Sequence, residues 1–75
     1  MLQITITSHN IKKMHQYSLA RRCVCVVTLT DYKLTGTLCF RRRDDCHSDI
    51  LRSPYVKDGN GKEYWIEVGD LVTVY

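Results

Sequence analysis

The chain has 75 residues, 44% of them hydrophobic and 25% charged, and carries a formal net charge of +3. That is enough for one small domain, too apolar for a disordered tail, and short for an enzyme that must surround a deep pocket. No apolar run approaches the roughly 18 residues needed to span a bilayer. The opening MLQITITSHN lacks the basic flank and apolar block of a signal peptide, so a cytoplasmic location without a membrane partner is expected.

In a reducing compartment the four cysteines are expected as thiols or metal ligands rather than as a disulfide frame. The net charge hides an asymmetry. Residues 1–43 hold eight Lys/Arg against one acid and residues 44–75 hold three against seven, so the two parts carry +7 and −4. Strands from both parts can interleave in a small barrel and mix these signs.

Leu2, Ile4 and Ile6 alternate with Gln3, Thr5 and Thr7, the period-2 pattern of a short half-buried strand. Next, SHNIKKMHQYSLARR offers Ser8 or Asn10 as an N-cap. It sets Ile11, Met14, Ser18 and Leu19 near one helical face and ends on Arg21 and Arg22, which predicts an amphipathic helix over about 10–22. Residues 23–30 and 34–41 read as a hairpin turning at Asp31–Lys33. Its core side is expected to carry Cys23, Cys25, Val27 and Leu29. In the second strand Leu34, Leu38 and Phe40 share a face with Gly36, whose missing side chain suits a bend.

Residues 50–56 suggest another strand, which Pro54 restricts to an edge or breaks. KDGNGK is a turn leading into EYWIEV, and Gly69–Asp70 allows a tight turn or bulge before the final LVTVY. The expected fold is mainly β: a five- to six-stranded antiparallel small barrel with one N-terminal helix, as a single domain over residues 1–75.

VVTLTDYKLTGTLCF at 26–40 and IEVGDLVTVY at 66–75 resemble the hairpin and the closing strand of SH3-like and Sm-like small barrels. In layout the chain is most similar to the Rho-binding antiterminator family. That resemblance implies an Sm-like barrel preceded by a helix and a role in blocking a larger protein machine. The basic N-terminal part departs from the acidic surface by which that family meets Rho, and fold analogy alone does not choose the target.

Four site chemistries can be written on these residues. Cys23 and Cys25 with Cys46 and His47 supply zinc-type ligands, but one residue between strand cysteines splays the chain, and the alternative is cysteines acting as small hydrophobes. Cys46, His47 and Asp49 are the residue types of a nucleophile, a base and an orienting acid, yet adjacent side chains diverge, and no catalysis or cofactor is expected. His9 and His15 read as solvent-facing. Lys12, Lys13, Arg21, Arg22, Arg41, Arg42 and Arg43 could contact phosphates, with Tyr17, Tyr32, Phe40, Tyr55 and Trp65 available to stack on bases. Against this, Asp44 and Asp45 follow the arginine run directly, and Phe40 and Trp65 are as readily core residues.

The preferred reading is a non-catalytic binding protein that docks on a larger protein or protein–nucleic-acid complex, with single-stranded RNA or DNA as the alternative target. Lys12, Lys13, Arg22 and Arg41 to Arg43 would steer association, and Tyr17, Tyr32 or Tyr55 would anchor it. An edge strand, either 50–56 or LVTVY, could also pair with another copy of the chain.

Overall fold

The computed structural model describes residues 1–42 and 52–75. Its strands are β1 (Leu2–Thr5), β2 (Cys23–Val27), β3 (Lys33–Arg41), β4 (Ser53–Lys57), β5 (Glu63–Trp65) and β6 (Leu71–Val74). They form one antiparallel sheet in the order β1-β6-β2-β3-β4-β5. The last strand thus lies between the first two, and chain segments of opposite charge are brought side by side. The fold is mainly β, and the sheet curls without closing, which corrects the expected barrel: β1 and β5 remain its two ends.

The core faces are set by register. Val24 pairs with Gly36 and Val26 with Leu34, while Val24 also meets Val74 and Val26 meets Val72. These positions share the inner face with Leu38, Pro54 and Val56, and the connecting segments add Ile6, Met14, Leu19 and Ile66. Burying each such side chain removes about 1.5–3 kcal/mol worth of apolar surface from water. The expected core side of β2 is inverted: Val24 and Val26 are buried, Cys23 is exposed and Leu29 is 76% exposed. Two faces of a Cys/Val strand look alike in isolation. Only the partners Leu38, Val56, Val72 and Val74 choose between them, and a slip of one residue would move all of them outward.

Residues 10–22 are not an α-helix. They make two single 3₁₀ turns, Asn10–Lys12 and Met14–Gln16. The segment before the first turn is tied down, since Thr7 N–H donates to Asn10 Oδ1 (2.8 Å), Asn10 N–H to Thr7 Oγ1 (3.0 Å) and Asn10 Nδ2 to Thr5 O (2.8 Å). What fails is the stripe. Burial is required of Met14 and Leu19, five positions apart, and a helix would instead turn Ser18 toward the core. The chain breaks the helix at Ser18, with φ +57°, and brings Leu19 inward.

A second break follows at once. Arg21 N–H donates to Leu38 O (2.7 Å) and Leu38 N–H donates to Arg22 O (2.9 Å), so two residues oppose one. Arg21 has φ +68°, the left-handed conformation of the first residue in the bulge type that normally takes glycine there. The bulge re-aims Arg21 before β2 begins.

Pro54 sits in β4, an interior strand between β3 and β5, which corrects its expected place at an edge. Its carbonyl accepts from Ile66 N–H (3.1 Å), so its nitrogen also faces the β5 side, where β5 has already ended at Trp65. The missing N–H faces Ile66, and the ladder stops at this end of β5. LVTVY is interior as well, because β1 covers the outer edge of β6. Both strands named for self-pairing thus lie inside this sheet. Gly36 explains the curl, since a Cβ there would stand 2.3 Å from Lys57 O, and only glycine lets β3 and β4 approach so closely. No helix among the described residues is long and apolar enough to cross a membrane.

Candidate partner-binding surface

On the outer face Tyr55 pairs with Cys39 on β3 and with Trp65 on β5. The Tyr55 and Trp65 rings meet edge to face at 5.5 Å between centroids. Arg41 lies over both, with Cζ 4.9 Å from the Tyr55 centroid and 5.1 Å from that of Trp65. Its Nη2 also donates to Glu63 Oε1 at 3.0 Å. Each of the two ring contacts is worth about 0.5–1 kcal/mol at a partly exposed site. The guanidinium is thereby fixed as part of a wall rather than extended toward phosphate. Burial, and then the Cys39 thiol and the Glu63 carboxylate, push the Tyr55 phenol above its ordinary value of 10.0, with Arg41 opposing.

That wall continues into a groove of about 650 Å³. On one side is the β2–β3 turn with Leu29, Tyr32 and Leu34, and on the other are Glu63, Tyr64, Trp65, Glu67, Val68 and Asp70. The turn is tied by Thr28 N–H to Tyr32 O (2.9 Å) and Tyr32 N–H to Thr28 Oγ1 (3.1 Å). Asp31 takes φ +63° within it. Opposite, buried Asp70 accepts from Glu67 N–H through Oδ2 at 3.0 Å, and Gly69 N–H donates to Ile6 O at 2.8 Å. Gly69 has φ +99°, and a Cβ there would meet the Leu29 side chain at 2.7 Å. Leu29 thus leans across the glycine while staying open to solvent. Tyr32 is 57% and Val68 49% exposed, which leaves an apolar cluster on the surface with carboxylates around it.

The predicted site residues divide. Tyr32 lines the groove, whereas Arg41 and Tyr55 do not and adjoin it only through their contacts with Trp65 and Glu63. Lys12 and Lys13 lie in and just after the first 3₁₀ turn, where Lys13 Nζ is 3.2 Å from His9 Nε2. Arg22 is turned to the C-terminal end of the chain, donating from Nε and Nη2 to Tyr75 O at 3.2 and 2.8 Å. Tyr17 is exposed after the second 3₁₀ turn, and Arg42 is exposed just past β3. None of Lys12, Lys13, Tyr17, Arg22 or Arg42 lines the groove. Cys23 and Cys25 are free thiols, and no cluster of three His, Cys, Asp or Glu side chains is found among the described residues. Arg43, Cys46 and His47, with Asp44, Asp45 and Asp49, lie outside those residues.

Sequence reasoning missed Leu29, Val68, Glu63 and Glu67. The signal for Leu29 was the turn itself, for a leucine two residues past the last ladder position of β2 need not keep the strand's phase. His15 was also misjudged as solvent-facing: it is half-buried, and its Nδ1 is enclosed without a hydrogen-bond partner among the described residues. Compared with protein-family models, with curated proteins and with solved structures, the chain finds no match.

Proposed function

We propose that the protein is a non-catalytic docking module that binds a protein partner in the groove between the β2–β3 turn and β5. The exposure of Leu29, Tyr32 and Val68 around one groove is the observation that carries this reading. Contiguous apolar surface on a small domain marks interaction sites, and buried aromatic and arginine contacts dominate binding energy where they are held rigid. The Arg41–Tyr55–Trp65 stack is held in that way. The fitting partner segment presents one or two apolar side chains to Leu29, Tyr32 and Val68. Action is by occupation of the partner's surface.

Electrostatic steering by Lys12, Lys13 and Arg22, expected from the sequence, has less support. These cations do not border the groove, and Arg22 is engaged with the chain terminus. Nucleic acid is the weaker reading for the same reason, because a phosphate-tracking surface needs a cationic path with aromatic platforms beside it. The test is recovery of the tagged protein from its own cells at low and high salt, with and without nuclease. A stoichiometric protein complex that survives both treatments supports docking, and recovery of nucleic acid that is lost with salt opposes it.

A further inference from the structure

A second cavity, of about 490 Å³, is bordered by His15 and Arg21 on one side and by Cys39, Phe40, Arg52 and Tyr55 on the other. It shares none of the docking groove's lining residues, although Tyr55, part of the aromatic wall beside that groove, borders it. Ligand sites of this volume are common, and most combine apolar walls with a few convergent polar groups. Here the polar groups are two guanidiniums and an imidazole, delivered by three separate chain segments. No carboxylate lines the cavity among the described residues.

Two observations mark it as more than a gap between elements. Arg21 reaches it from a bulge whose left-handed backbone, φ +68°, would suit glycine better. Backbone of this kind is retained where surrounding structure or function over-determines it, and bulges beside sites re-aim side chains. The second observation is that a half-buried histidine, His15, borders the same cavity as the two exposed arginines. Its Nδ1 is closed off from solvent, so the rest of the ring is what can meet a ligand there.

We infer that this cavity binds a phosphate monoester, with Arg21 and Arg52 gripping the phosphoryl oxygens and His15 completing the contacts. Guanidinium forks match phosphate oxygens two at a time, which a single ammonium cannot do. Phe40 and Tyr55 leave an apolar wall for the organic group that carries the phosphate. Both arginines border one cavity, which suits a compact dianion.

The experiment is a titration of the ¹⁵N-labelled full chain with inorganic phosphate, adenosine 5′-monophosphate and adenosine in parallel. Saturable shifts at His15, Arg21, Phe40 and Arg52 are expected with the first two and not with adenosine. Arg21→Gly keeps the bulge conformation and Arg52→Gln keeps a polar side chain, so both variants should fold. Each should weaken phosphate binding about tenfold, as loss of a charge-assisted contact does. Equal binding of adenosine and its monophosphate overturns the inference. So does the absence of saturable shifts at these residues, or unchanged affinity in both folded variants.

Discussion

Replacing Gly36 by alanine tests how the sheet acquires the curl that brings β3, β4 and β5 into one surface. An added Cβ would lie 2.3 Å from Lys57 O, 2.9 Å from Lys57 C and 2.9 Å from Val56 Cγ1. Ordinary contact begins near 3.4 Å, so β4 must retreat by about 1 Å, and its carbonyl cannot rotate away without weakening the β3–β4 ladder. Overpacking of this severity costs about 3 kcal/mol. The smaller entropy of an alanine-containing unfolded chain offsets about 0.7 kcal/mol, leaving a net loss of about 2 kcal/mol. For a domain of this size that lowers Tm by about 8–16 °C. Urea and thermal denaturation followed by circular dichroism measure it. Gly59→Ala is the control, since nothing lies within 4 Å of a Cβ there, and it should change stability by less than about 0.5 kcal/mol. A Gly36→Ala protein as stable as the parent would refute the close-approach argument.

At Arg21 the backbone, with φ +68°, predicts that Arg21→Gly is more stable than Arg21→Ala by about 1 kcal/mol, which paired denaturation curves can read. Arg41→Ala removes two ring contacts and the exposed pair with Glu63. It should cost about 1–2 kcal/mol in total and alter Trp65 fluorescence, and a double-mutant cycle with Trp65→Ala should return about 0.5–1 kcal/mol as coupling, the share of the Trp65 contact. Because the Tyr55 phenol is raised above 10.0, the folded state holds that proton more tightly than the unfolded chain does. Its contribution to stability is full below pH 10 and is lost as pH rises through the folded value. Ultraviolet titration should therefore show one tyrosine ionising above the ordinary value of 10.0, and stability falling over the same alkaline range.

The β character of the chain was legible because Val, Thr and Ile alternate at period 2 and because strong turn signals separate the strands. Asp58 bears this out by accepting from Asn60 and Lys62 N–H at 2.9 Å each. The faces of β2 were not legible, since cysteine and valine are both apolar and the decision comes from strands far away in sequence. The helix at 10–22 misled for a related reason. Its residues have adequate helical spacing at Ile11 and Met14, but the position of Leu19 under the sheet overrides local preference. Of the site, the individual residues Tyr32, Arg41 and Tyr55 could be named from type and position alone. Their assembly with Trp65 could not, because it depends on a three-strand register, and the groove depends on where the sheet stops short of closing.

The docking reading is tested most directly by comparing what the wild-type chain retains with what two sets of variants retain. Val68→Lys places a bulky charge in the groove, whereas Lys12→Glu with Lys13→Glu reverses cations that lie away from it. With both variants folded, the account predicts that Val68→Lys releases the protein partner at high and low salt and that the lysine pair keeps it. Retention by Val68→Lys together with loss in the Lys12/Lys13 variant would contradict it, and would return the site to the basic N-terminal segment.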